Sequence, residues 1–219
     1  MLLTLGDSFT YGDELRDRHS DAWPQQLASL LDYQLINLGK PSNSNPAICR
    51  QLLEYFSQKH NRVPDLVVIG WASPGRTEHS DAGGNYNLWP GYSGNLFKQS
   101  HPWREDLLQY INCYHDDQYL FEIYVNQLIY TQSFLHSKNV KYLMLNAVGN
   151  EYYHNLYRDS FKSYYDLLDL EKIIGWPNEG MLEWADHTKK GPNGHFLEEG
   201  HLIVANKIYE HIRNIGWIS

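Results

Sequence analysis

Cysteine, positive charge and long apolar runs are all scarce in this 219-residue chain, and each scarcity removes a class of function. Cys49 and Cys113 are the only two cysteines and match no Cys-x-x-Cys pattern, so they read as free structural thiols and not as a redox pair or zinc site. Lys and Arg total 18 against 26 Asp and Glu, a formal charge of -8 with no basic run, which argues against nucleic acid and anionic membrane as partners. No stretch approaches the roughly 18 apolar residues of a membrane span. Met1 leads straight into a strand-like run without a basic leader, so the expected location is cytoplasmic. No Gly-x-Gly-x-x-Gly follows a strand and no Gly-Lys-Ser or Gly-Lys-Thr phosphate loop occurs, so no nucleotide cofactor is expected. His115-Asp116-Asp117 lacks any accompanying ligand spacing and reads as a solvated helix start, so metal-independent chemistry is expected.

What is present is a pattern of short apolar runs, at Leu2 to Leu5, Leu35 to Leu38, Leu66 to Gly70 and Lys141 to Asn146. Helical signals separate them. Asp21 can cap a helix with Pro24 in its first turn, Asn45 and Pro46 repeat that start, and Phe121, Val125, Leu128 and Leu135 place a third helix over about 117–137. A last helix carries Val204, Ala205, Ile208, Tyr209 and Ile212. Strands alternating with helices imply an α/β fold with a parallel sheet, and nothing divides residues 1–219 into more than one domain. An insertion over about 77–116 departs from that minimum. Its glycines and prolines punctuate Tyr86, Trp89, Tyr92, Phe97 and Trp103, which reads as a long aromatic loop at the active-site edge. A Tyr-rich segment from Tyr152 to Trp184 offers no obvious fifth strand.

Chemistry concentrates in Gly6-Asp7-Ser8-Phe9-Thr10-Tyr11-Gly12, directly after the first strand. A glycine-flanked turn there lifts Ser8 to the carboxyl edge of the sheet as a candidate nucleophile, with Asp7 stiffening the turn. Serine needs a base. Of 11 histidines, His195 is best placed, because a loop just before the last helix lies at that same edge. His201, at the helix start, reads as a packing residue.

These residues resemble the blocks of the GDSL or SGNH hydrolase superfamily. The resemblance rests on Gly6-Asp7-Ser8, on Asn37-Leu38-Gly39-Lys40-Pro41-Ser42-Asn43 after the second strand, on Gly70 after the third, and on His195 with Glu199-Gly200-His201. Trp71 to Glu78 also resembles block three of SGNH-like proteins found in phages, which would make the chain phage-encoded. The resemblance implies a flavodoxin-like three-layer α/β/α sandwich and an esterase, thioesterase, lipase or carbohydrate deacetylase. It implies that Ser8 attacks an acyl carbon to give an acyl-enzyme, that His195 takes the proton, and that backbone amides with a block-three Asn hold the oxyanion.

Three positions depart from the family pattern. The block-two glycine falls on Ser42, whose N–H can still serve; the oxyanion Asn falls on Ala72; and the acid of Asp-x-x-His falls on Pro192. Ser73 can donate in the place of the Asn, with Arg76 and Asn146 as other candidates, while Asp186 or Asn193 can orient His195. Arg76, Trp71 and Asn43 are expected at the substrate, and Arg76 and Glu78 are spaced for an ion pair.

The leading expectation is a hydrolase of a small-molecule or glycan ester, most of all an O-acetyl group on a carbohydrate. An SGNH-like glycan-binding or structural module, part of a larger assembly, and an O-acyltransferase remain open beside it.

Overall fold

The computed structural model describes residues 1–81, 84–88, 105–106, 109, 113 and 116–218. Strands β1 (Leu2–Gly6), β2 (Leu35–Asn37), β3 (Leu66–Trp71), β6 (Lys141–Asn146) and β7 (Ile173–Ile174) form a five-stranded sheet in the order β2-β1-β3-β6-β7. Every neighbouring pair is parallel. That order is the flavodoxin-like one, in which the chain reverses its direction of travel across the sheet at the β1/β3 junction.

The sequence pattern explains why both faces are covered. Along β1 and β3 every residue is buried, so alternate side chains feed two different cores. Leu3, Leu5, Val67, Ile69, Trp71, Tyr142 and Met144 point to one face, where the helices Asn45–Ser57 and Asp117–Ser137 cover them with Ile48, Leu52, Phe121, Val125 and Leu128. Leu2, Leu66, Val68, Leu143 and Leu145 point to the other, against Trp23 and Leu27 of the helix Trp23–Leu30 and Val204, Ala205 and Ile208 of the helix Glu198–Asn214. The result is a three-layer α/β/α sandwich.

Three local expectations are corrected. Asp21 does not cap the Trp23–Leu30 helix: it ends a preceding turn of helix, Arg18–Asp21, and Ala22 takes the cap position without a side-chain bond. Ser44, not Asn45, caps the second helix, its Oγ accepting from Ala47 N, which frees the Asn45 amide for other work. The Tyr152 to Trp184 segment does contribute a fifth strand, β7, whose two residues pair with Met144 and Leu145.

The start of the insertion is an antiparallel hairpin of β4 (Thr77–Asp81) and β5 (Gly84–Leu88). Trp89, Tyr92, Phe97 and Trp103 lie outside the described residues, as does the side chain of Tyr86. His115 is outside them too, whereas Asp116 caps the Asp117–Ser137 helix by accepting from Tyr119 N at 2.7 Å. Among the described residues no helix is long and apolar enough to cross a membrane.

Candidate active site

Chain direction places the site at the carboxyl ends of β1 and β3. At Gly6 a Cβ would stand 2.1 Å from Thr10 Oγ1 and 2.8 Å from Gly70 O, so only glycine lets the chain turn this close to its neighbour strand. Asp7 then caps a single helical turn, Ser8–Tyr11: its Oδ1 accepts from Phe9 N at 3.0 Å and its carbonyl from Tyr11 N at 2.9 Å. Gly12, at φ +82°, closes the turn by donating to Ser8 O. Ser8 therefore occupies the first helical position, where backbone N–H groups have no partner inside the helix.

Ser8 Oγ lies 2.8 Å from His195 Nε2, although the residues are 187 positions apart. The other imidazole nitrogen, Nδ1, lies 2.8 Å from Glu14 Oε2. A carboxylate at Nδ1 takes that proton as a hydrogen bond and leaves Nε2 as the acceptor facing the serine hydroxyl. Phe9 walls the imidazole on one side, at 4.9 Å between ring centroids, and packs in turn against Phe196 with the rings tilted by 32°. The line Ser8, His195, Glu14 thus joins three side chains through two hydrogen bonds.

Glu14 is the residue the sequence reading missed. Both positions considered for an orienting group lie elsewhere. Asp186 is solvent-exposed and accepts from Lys190 Nζ at 2.7 Å, four residues on. Asn193 donates to Glu14, through its backbone N at 2.9 Å and its Nδ2 at 3.1 Å, both to Oε1. His195 N adds a bond to Oε2 at 3.1 Å. The loop between Gly191 and His195 therefore wraps one carboxylate with four N–H donors. Gly191 is required there because a Cβ would stand 2.7 to 2.8 Å from the Glu14 carboxylate carbon and oxygens. Burial, which raises the Glu14 pKa, is outweighed by the bonds from Asn193 and His195, so the carboxyl is held below the ordinary carboxylate range. Glu14 itself sits at φ +66°, the left-handed region, which a sequence pattern does not announce.

Three loops meet around Ser8, and polar side chains tie each to the next. Asn43 Nδ2 donates to Gly6 O at 2.9 Å and to Gln51 Oε1 at 3.0 Å. Asn45 clamps Ala72, accepting from its N at 2.8 Å and donating to its O at 3.0 Å. Arg76 Nη1 donates to Asp7 Oδ2 and to Asn43 O, both at 3.2 Å. Burial pushes the Asp7 carboxyl above its usual value, opposed by the Arg76 guanidinium and the Phe9 N–H.

These contacts relocate several expected substrate residues. Trp71 is wholly buried, 6.2 Å from the Tyr124 ring, and cannot touch a substrate from there. Asn43 is also buried, with its amide spent on Gly6 O, at the turn before Ser8, and on Gln51. Glu78 receives a forked pair of bonds from Arg50, at 2.7 and 3.2 Å. Asn146 turns inward and accepts from the Tyr124 hydroxyl. Ser42 has φ +66°, the conformation that glycine adopts most readily, and Ser73 faces the Tyr153 hydroxyl. His201 packs as expected: its Nδ1 accepts from Trp23 N at 3.1 Å, and burial lowers its pKa to about 3. Among the described residues no group of three or more His, Cys, Asp or Glu could hold a metal ion.

Solved structures share this architecture from end to end. A lipolytic protein of the G-D-S-L family from Veillonella parvula DSM 2008 superposes with a TM-score of 0.55 at 12% identity, covering 95% of this chain and 96% of that one. The psychrotrophic esterase EstA from Pseudoalteromonas sp. gives 0.57 at 14%, with 98% and 97% covered. A carbohydrate esterase family 2 enzyme from Corynascus thermopiles gives 0.57 at 13%, covering 99% of this chain and 66% of that longer one. No curated protein matches in sequence. The fold is thus that of the GDSL or SGNH hydrolases, and the chain belongs to the family described as a family of unknown function, DUF6071, whose model matches residues 6–219.

Proposed function

We propose that the protein is a serine hydrolase that cleaves an ester through Ser8, His195 and Glu14. The observation that carries this reading is the continuous hydrogen-bonded line from Ser8 Oγ through the imidazole to a carboxylate, at 2.8 Å in each step. Those distances lie within the reach required of a nucleophile, its base and the group that orients the base.

In the first half-reaction His195 Nε2 takes the Ser8 proton as Oγ attacks the acyl carbon. The negative charge that appears on the carbonyl oxygen is met by the amide of Ser8, at the start of its helical turn, and by that of Ser42. The imidazolium, steadied by Glu14, returns the proton to the leaving alcohol and an acyl-enzyme remains. Water repeats the sequence in reverse order and releases the acid. An acceptor alcohol in place of water would make the same centre an acyltransferase.

A short acyl group on a carbohydrate is the substrate class favoured here. Several proteins with this fold are carbohydrate esterases, among them an acetyl xylan esterase from Butyrivibrio proteoclasticus at 13% identity. That support is analogy of fold, and the site geometry carries the reaction type.

The test is covalent labelling with a fluorophosphonate and hydrolysis of p-nitrophenyl acetate, run beside Ser8→Ala and His195→Ala. Labelling and turnover in the parent, lost in both variants, are expected. A parent protein inert to both reagents from pH 6 to 9 would sink the hydrolase reading and favour a glycan-binding module of the same fold.

A further inference from the structure

The loop after β3 has lost the side-chain donor expected at Ala72, and the Ala72 amide is itself occupied by Asn45 Oδ1 at 2.8 Å. Four residues further on, the same loop delivers a guanidinium to the nucleophile turn. Arg76 Nη1 bonds two acceptors that belong to different loops, Asp7 Oδ2 and Asn43 O. Asp7 immediately precedes Ser8, and Asn43 immediately follows Ser42. One nitrogen therefore sits between the two segments whose amides would face the oxyanion.

We propose that Arg76 is a positioning residue of the reaction: it fixes the Ser8 and Ser42 amides relative to each other, in compensation for the missing donor at Ala72. This rests on the reading of Ser8 as nucleophile. The argument is one of connectivity. Asn43 ties the second loop to the first through Gly6 O, and Asn45 ties the third to the second through Ala72. Arg76 ties the third back to the first and closes the ring. Of these three ties that of Arg76 is the ion pair, made with the Asp7 carboxylate at 3.2 Å beside the turn that carries Ser8.

Asp7 gives the pair its directionality. Its side chain is 1% exposed, and its other oxygen already caps the turn through Phe9 N. Arg76, with a side chain 22% exposed, extends from that buried partner toward the surface of the site. A guanidinium so held cannot swing out to a substrate without stranding a buried carboxylate, which is why a positioning role replaces the substrate contact expected from the sequence.

The experiment compares Arg76→Met and Arg76→Lys with the parent. Removing an oxyanion donor outright typically lowers the rate about 10²- to 10³-fold. Removing the group that aligns two of them is expected to lower kcat by about 10²-fold with KM changed less than about threefold, and fluorophosphonate labelling should slow in parallel. Arg76→Lys, which keeps the charge, should recover most of the loss. Because Arg76→Met strands Asp7, the Asp7→Asn/Arg76→Met double variant serves as the folded control. In the Asp7→Asn background the further loss from Arg76→Met should shrink, the mark of coupled residues. Amide hydrogen exchange read by NMR should accelerate together in Arg76→Met at Phe9, whose N–H bonds Asp7 Oδ1, and at Asn43, whose N–H bonds Lys40 O.

A KM that rises while kcat holds would overturn the proposal in favour of a substrate contact. So would a variant with parental kcat, or unchanged exchange at the two amides. A parent protein that is never labelled instead refutes the hydrolase reading, while the exchange measurement still decides whether Arg76 holds the two segments.

Discussion

Glu14→Gln is the substitution on which the proposed chemistry depends most directly. The side chain keeps its size, so the effect comes from hydrogen-bond inventory and charge. In the parent, two oxygens each receive two N–H donors, from Asn193 on one side and His195 on the other. A glutamine offers one oxygen and one NH2 group, so two of the four donors must face another donor. If the NH2 turns toward His195, the imidazole escapes the clash by shifting its proton to Nε2, and that nitrogen can no longer accept the Ser8 proton. If it turns toward Asn193, the loop carrying His195 loses its anchor. Both arrangements also remove the charge that stabilises the imidazolium. By analogy with an acid-to-amide change in a serine protease triad, kcat is expected to fall about 10³- to 10⁴-fold. That fall corresponds to a barrier about 4 to 5.5 kcal/mol higher. Unsatisfied donors should also reduce folding stability, by about 1 to 3 kcal/mol. The assay is p-nitrophenyl acetate turnover and the fluorophosphonate labelling rate, with Asp186→Asn alongside, which should stay within about twofold of the parent. Glu14→Gln within about tenfold of parental kcat, or an equal loss in Asp186→Asn, would refute the assignment of Glu14.

Other outcomes follow from neighbouring features. Gly191→Ala places a methyl group within 2.8 Å of the Glu14 carboxylate, so activity should fall more than thermal stability, as separate rate and melting measurements would show. Ser42→Gly relieves a left-handed residue, at φ +66°, and should leave stability within about 1 kcal/mol of the parent in urea titrations. His201 stays neutral in the folded protein down to about pH 3, whereas in the unfolded chain it titrates near 6.5. Its contribution is therefore complete above pH 6.5 and lost as pH falls toward 3, by on the order of 4 to 5 kcal/mol in all. His201→Gln should flatten the acid side of the stability profile, and an unchanged slope in urea unfolding between pH 7 and 4 would contradict it.

The sheet was readable because strands buried on both faces spell out as unbroken apolar runs, as in Leu2–Gly6 and Leu66–Trp71. β7 escaped because two isoleucines, Ile173 and Ile174, make no pattern, and β4 because Thr77–Asp81 is polar throughout. Trp71 was misplaced by its position at a strand end. The two-residue alternation sets it on the face of Val67 and Ile69, in the core. Ser8 and His195 were legible from turn chemistry and chain order. Glu14 was not, since its contact with His195 spans 181 positions and depends on a backbone conformation that no residue type in Asp13-Glu14 signals.

Ser8 and Glu14 lie six positions apart, on one short segment, and only His195 arrives from the far end of the chain. In heritable terms, two of the three groups travel in a single stretch of coding sequence. Under the proposed reading the position held by Pro192 has no part in orienting His195. Within the family this arrangement gives a signature to look for, a Ser-x5-Glu spacing in the first block wherever the residue three before the histidine is not acidic.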